Sequence, residues 1–255
     1  MKHIKRKFQL HRNLSDEVYE HVNKNIEPKI IQNSNTENYV PYTITSEKLF
    51  IQSFFYELEG KKHTIVEPNP ILIYFSNAQG FFSTIIERRE LIFDNLKSSK
   101  KDVGDILNHM FAYYGSVVNF VSSLFDSLEC LINSKIPKEY IYTKPTRKNK
   151  KMNKKQILRF LSFEDKIKEV LPNIDSKYNF ASEKSHLFAD LKLLKSLRDN
   201  ITHAKSNIDY EVAYYDALYT EALDFDFKKS IESAKEFINY HENGLIEQCD
   251  CGKTH

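Results

Sequence analysis

A permanent cation and a titratable imidazole stand five positions apart in the run Arg198-Asp199-Asn200-Ile201-Thr202-His203, with an acid, an amide and a hydroxyl between them. A guanidinium presents a planar fork that fits phosphate, and an imidazole moves protons near neutral pH. Phosphodiester cleavage needs both: charge stabilisation at phosphorus and proton transfer at the attacking and leaving oxygens. If the run is helical, each residue turns by about 100°, so Asp199 and His203 share one face and Arg198 and Thr202 form the adjacent ridge. The Arg and His rows then lie about 140° apart, and the long arginine stem must reach around for both heads to meet one ligand.

Spacing alone is weak. The chain has 7 Arg and 9 His, and Arg6 and His11 repeat the same gap. Context separates the two. Arg6 sits in a basic stretch beside Lys7, whereas Arg198 lies late in a segment with apolar residues at Leu187, Phe188, Leu191, Leu194, Leu197 and Ile201. That period predicts an amphipathic helix holding the pair at the edge of its apolar stripe. In the chemical reading, Arg198 binds phosphate and His203 transfers the proton. Asp199 orients the ring, and Asn200 and Thr202 donate to phosphate oxygens. The plain reading is a solvated helix face with an Arg–Asp pair and a surface histidine.

The elements that must position these residues are mostly helical. Gly and Pro number only 6 and 7 in 255 residues, too few for a turn-rich β architecture. An apolar fraction of 41% is modest, but 18 Phe and 15 Tyr supply large buried areas. Net charge is +2, so affinity for nucleic acid must come from a local patch. Three cysteines (Cys130, Cys249, Cys251) make no disulfide framework, and a reduced, cytoplasmic setting is expected. The apolar stretch 110–132 is interrupted by Asn119, Asp126 and Glu129, which argues for a buried bundle helix rather than a membrane span.

Along the chain, residues 1–101 form an N-terminal region of unassigned role. It holds an extended piece at 39–45, a short helix at 49–58 after a start signal at 45–48, strands at 63–66 and 71–75, and a helix at 81–96. A charged break at 97–102 marks the expected boundary. Residues 102–243 read as a helical bundle with helices at 105–135, 155–170, 182–205 and 211–243. The last is broken near 224–226 and capped by Gly244. Residues 244–255 read as a flexible tail.

Two further clusters stand out. Seven of the twelve residues 144–155 are Lys or Arg, with no acid among them. Lys148, Lys150 and Lys151 are candidates for tracking phosphates without reading sequence, with Tyr140 and Tyr142 beside them for base stacking. The plain alternative is a solvated connector. In the tail, Cys249, Cys251 and His255 offer three metal ligands, but the spacing fits no standard finger, and the reading is a loose segment with reduced thiols. No metal and no cofactor are expected. Glu87-Arg88-Arg89-Glu90 is read as helix salt pairing. Phosphate loops, nucleophile elbows and His-Glu-x-x-His helices are absent from the sequence.

Arg198-Asp199-Asn200-Ile201-Thr202-His203 resembles the HEPN signature: Arg, a polar residue, a short gap, then His. The surroundings are similar to that family too. Residues 117–132, with Glu129 near their end, resemble its long apolar first helix. Residues 163–172 resemble the segment before its motif helix, and residues 227–240 its closing helix. The resemblance covers residues 102–243 and leaves 1–101 unmatched. It implies a mainly α fold, an antiparallel four- or five-helix bundle, to which the reading of residues 1–101 adds an N-terminal extension carrying short strands. It also implies a homodimer in which two Arg–His motifs meet, and metal-independent cleavage of RNA to 2′,3′-cyclic phosphate ends. The setting implied is phage defence or toxin–antitoxin growth control, with an antitoxin or other regulatory protein as partner and no membrane. Catalysis would rest on Arg198, Asp199 and His203. The rivals are a non-catalytic dimerisation or partner-binding module and a nucleotide sensor using the same cleft.

Overall fold

The computed structural model describes residues 3–7, 11–13, 42–44, 49–98, 103–144, 150–202 and 212–252. The protein is mostly helical with two small antiparallel sheets, and it divides into two compact units: Arg6–Pro70, and Met1–Lys5 with Ile71–His255.

The smaller unit carries β1 (His11–Asn13), β2 (Tyr42–Ile44), β3 (Leu49–Leu58) and β4 (Lys61–Val66). The first residues of β3 pair antiparallel with both β1 and β2, and its remainder pairs with β4 from Ser53↔Val66 to Leu58↔Lys61. The helix expected at 49–58 is therefore a strand. Its end explains why: Glu59 (φ 52°) and Gly60 (φ 74°) both adopt left-handed backbone, the two-residue turn that matches the twist of a hairpin. Gly60 thus reverses a strand instead of ending a helix. The strand expected at 63–66 and the extended piece near 39–45 are present as β4 and β2.

In the larger unit α1 (Pro70–Lys97) precedes α2 (Val103–Lys135). Residues 71–75, expected as a strand, are the first turns of α1. Pro70 takes its first position, where a missing N–H costs nothing. Ser127 Oγ donates to Ile71 O at 2.9 Å and Phe82 meets Phe120 at 6.3 Å between ring centroids, so α1 runs back along α2. Of the break expected at 97–102, residues 99–102 lie outside the described residues; the two compact units divide at residues 70–71.

A hairpin follows, β5 (Ile141–Lys144) and β6 (Lys150–Asn153). The helix expected at 155–170 is broken. The α3 helix (Lys154–Phe160) starts in a capping box between Asn153 and Gln156 and stops at Leu161, and Ser162 caps a new start by accepting from Asp165 N–H at 3.0 Å. That second stretch runs as α4 (Phe163–Asp165), a wide π turn over Lys166–Val170, and α5 (Leu171–Ile174). A short α6 (Phe180–Glu183) leads into α7 (Ser185–Thr202), then α8 (Val212–Asp224) and α9 (Phe227–His241), the last capped by Asp226. The break expected near 224–226 falls at Phe225–Asp226.

Helix α2 packs against α7 and α9, burying Val117, Phe120, Val121, Leu124, Leu128 and Ile132 completely. It is long and apolar enough to cross a membrane by length and composition, yet more than half of that stretch is buried inside the protein. The segment read as the tail packs onto the protein where it begins. Leu245 and Ile246 are buried, and the Asn239 side chain holds both backbone groups of Ile246 at 2.8 and 3.1 Å.

His241 closes α9 inside a ring cage of Phe180, Phe237, Tyr178 and Tyr240. Its Nδ1–H donates to Phe237 O at 2.9 Å, and Nε2 meets no hydrogen-bond partner among the described residues. Burial pushes its pKa down from 6.5 to about 4, outweighing the Phe237 hydrogen bond, with Lys135 adding to the fall. Between those two values the unfolded chain holds a proton that the folded one lacks, so stability falls as pH drops from 6.5 towards 4. The thermal midpoint is expected to decline over that window and to decline less in His241→Phe. Equal pH slopes in the two proteins would refute this account.

Candidate functional site

Arg198 lies near the end of α7, on the edge of the stripe that buries Leu191, Leu194 and Leu197. Its guanidinium carbon sits 5.3 Å from the centroid of the Phe125 ring on α2, a cation–π contact. Its Nη1 donates to Asp199 Oδ1 at 3.1 Å. The other oxygen of Asp199 accepts from Lys195 Nζ at 2.7 Å, one turn back, and Lys195 also lies 3.9 Å from Glu164 Oε1 on α4. The arginine is thus held flat by a ring and steered sideways by a carboxylate that is itself fixed.

These groups line a cleft of about 420 Å³ between α2, the α3–α4 junction and α7. Arg159, Lys166, Lys195 and Arg198 face it with Asp126, Glu129 and Asp199. Lys166, the first residue of the π turn, is 4% exposed and pairs with Glu129 at 2.8 Å. Arg159 has no acidic partner among the described residues. Burial pushes the Asp126 carboxyl above its ordinary range; the Arg198 charge opposes this and Glu129 reinforces it. For Asp199 burial acts in the same upward sense, but hydrogen bonds from Lys195 and Arg198 outweigh it and hold the carboxyl below its ordinary range.

Arg198 and Asp199, chosen from sequence, meet in this cleft. His203 and Lys148 lie outside the described residues, as does His255. Asn200 and Thr202 do not line the cleft. Asn200 Nδ2 donates to Glu221 Oε2 at 3.0 Å, beside a second cleft of about 310 Å³. That second cleft carries Asp190, Glu221, Asp224 and Asp226 against Lys229, the wrong sign for phosphate. The Thr202 hydroxyl donates to Arg198 O at 2.8 Å, which occupies the proton it was expected to offer.

The basic strip is a hairpin at its ends. Side chains alternate along β6, so Lys150 shares a face with buried Met152 and Lys151 points to the other. Tyr142 is 2% exposed and its hydroxyl bonds Glu169, so it is closed to bases; Tyr140 is packed against the core. The available ring is Phe160, 62% exposed, with Arg159 Cζ at 5.3 Å and Lys150 Nζ at 6.0 Å from its centroid. Sequence reasoning missed Phe160, Arg159, Lys166, Lys195 and the acids Asp126 and Glu129. The one available signal was Asp126 and Glu129 at i, i+3 in an otherwise apolar helix, which puts two carboxylates on one face.

No family model, curated protein or solved structure matches this chain.

Removing one partner of a buried ion pair strands the other charge, at about 3–5 kcal/mol where both are fully buried. Glu129 is partly exposed, so Glu129→Gln is expected to destabilise by about 2–3 kcal/mol in chemical denaturation. A variant with Lys166→Met added should recover much of the loss. No recovery would mean that Lys166 is not held by Glu129.

Proposed function

We propose that the protein is a metal-independent endoribonuclease of HEPN type, in which Arg198 holds the scissile phosphate and His203 transfers protons. The observation that carries this reading is Arg198: a guanidinium pre-oriented by Phe125 and Asp199, in a cleft lined by three more cations, in a sequence run that ends in His203.

In this reaction the ribose 2′-oxygen attacks phosphorus while its proton passes to a neutral imidazole. The P–O5′ bond breaks, and the leaving oxygen takes a proton from an imidazolium. The products are a 2′,3′-cyclic phosphate and a 5′-hydroxyl. Arg198 neutralises the charge that builds on the non-bridging oxygens. Asp199 acts as a positioning residue for the guanidinium, where sequence reasoning had given it to the histidine ring. One imidazole cannot easily serve both sides of an in-line displacement, so two subunits each supply a motif. Phe160, flanked by Arg159 and Lys150, gives a platform on which an RNA base stacks beside the cleft. The reading extends to a cytoplasmic role in phage defence or toxin–antitoxin control, with an antitoxin as regulatory partner.

One observation favours a second reading. Lys166, Lys195 and Arg198 are each already paired with an acid, as they would be in a non-catalytic module that dimerises, binds a partner or senses a nucleotide.

The reactions to compare are wild type, Arg198→Ala and His203→Ala on structured RNA in EDTA. Wild type should leave cyclic-phosphate ends, each variant should lose about 100-fold or more in rate, and the pH profile should be bell-shaped. Equal activity in all three sinks the nuclease, and a dimer that cuts nothing supports the module.

Phe160→Ala should weaken RNA binding by about 1–3 kcal/mol while leaving its salt slope unchanged. Binding equal to wild type removes Phe160 as a platform.

A further inference from the structure

The larger unit carries a second cluster of chemistry that the ribonuclease reading does not use. Residues 3–5 and 247–249 lie side by side as antiparallel backbone, with an isolated bridge at Ile4↔Gln248. Lys5 N–H donates to Glu247 O at 2.8 Å and Cys249 N–H donates to His3 O at 2.6 Å. Lys5 Nζ and Glu247 Oε2 add an ion pair at 3.4 Å. This register sets His3 opposite Cys249. The chain then bends through Asp250, and Cys251 returns to the same histidine, its Sγ 3.6 Å from His3 Nδ1. One ligand atom from each of His3, Cys249 and Cys251 lies within 4.8 Å of the others.

We propose that His3, Cys249 and Cys251 form a zinc site. Two sulfurs and an imidazole nitrogen are the donor set that zinc favours over magnesium or calcium, which take oxygen. With Zn–S near 2.3 Å and Zn–N near 2.0–2.1 Å in a tetrahedron, sulfur and nitrogen ligands stand about 3.6 Å apart. The Cys251–His3 separation matches that figure without movement. No disulfide joins the two thiols. On binding, both thiols release their protons to solvent and the sulfurs coordinate as thiolates. Cys251 is exposed, so water can reach the fourth position. Three protein ligands leave the fourth position open to water, and none of the three lines the Arg198 cleft. The metal closes residue 3 onto residue 251 and so fixes buried Ile4 and the segment after α9 against the bundle. The sequence reading sought a third ligand in His255; the fold supplies His3, which lies 248 positions from Cys251 and could not be read from local spacing.

The test uses the full chain, purified under reducing conditions. Elemental analysis should find one zinc per chain. Chelated protein reloaded with cobalt(II) should show the thiolate-to-cobalt charge-transfer band. The band should be lost in Cys249→Ser and Cys251→Ser and shifted or lost in His3→Gln. Because a serine variant can fail to fold, the chelated wild type is measured as well: its thermal midpoint should fall on zinc removal and return on re-addition. Ribonuclease activity in EDTA is independent of this site, so failure here leaves the Arg198 reading standing. Absence of zinc and of the cobalt band in folded wild type, or zinc retained in the Cys249→Ser/Cys251→Ser protein, overturns the proposal. So does a Cys249–Cys251 disulfide in metal-free protein that takes up no zinc after reduction.

Discussion

A carboxylate on the flank of a buried helix must be answered by a cation, and in this protein the answer organises the candidate site. Helix α2 buries a broad apolar face and leaves Asp126 and Glu129 at its edge. Glu129 draws Lys166, which the π turn delivers almost wholly buried, and Asp126 feels the field of Arg198. A π turn widens the helix by one residue and is found most often where function asks for an unusual side-chain position. Here it starts at the lysine that closes the cleft floor. The elements on either side are then tied to α2, α7 through Phe125 under Arg198 and the α3–α4 junction through the contact of Phe125 with Phe163 at 4.9 Å, while Lys195 and Glu164 link α7 to α4 directly.

The charges of the cleft are close to balanced, which shapes how it would meet a phosphate. An anion entering here does not fall into an empty basic hole. It shares Arg198 with Asp199 and Lys195 with Asp199 and Glu164. Such a site gives up affinity to gain order, because the guanidinium is already oriented and less rotamer entropy is lost on binding. In the proposed nuclease, grip on a long anionic chain would come from Arg159 at the cleft edge and, outside the cleft lining, from Lys150 and the exposed ring of Phe160. The proposed reaction would use this division between a preorganised centre and a charged, aromatic rim to hold one phosphate for chemistry and its neighbours for grip.

Much of the helical core was legible. The stripe over 105–135 gave α2, and the stripe ending at Ile201 gave α7, because a periodic apolar face many turns long admits no other structure. Short apolar runs were not legible. Residues 49–58 fit a helix as well as a strand until Glu59–Gly60 is seen to turn the chain into β4. Residues 71–75 fit a buried strand until Pro70 is seen at a helix start. Local capping was decisive but easy to overlook: Ser162 broke one expected helix into two. In the site, Arg198 and Asp199 were found because they are neighbours in sequence. Lys166 and Arg159 were not, since only the packing of α3 and the π turn against α2 brings them to the cleft of Arg198, and Phe160 was not, since its place beside Arg159 and Lys150 depends on where α3 ends.

The same limit explains Asn200 and Thr202. Both were assigned to phosphate because they stand between Arg198 and His203. In a helix, though, the neighbours of Arg198 on its own face are Lys195 and Thr202, and the face of Asn200 turns towards α8. Thr202 satisfies its proton on the carbonyl one turn back, as a β-branched hydroxyl in a helix commonly does. Lys195, which the motif does not contain, therefore does more for the arginine than two residues inside it. A linear motif reports which residues are near in sequence. The chemistry depends on which residues are near along a helix face and across a packed interface, and for Arg198 those are Lys195, Asp199 and Phe125.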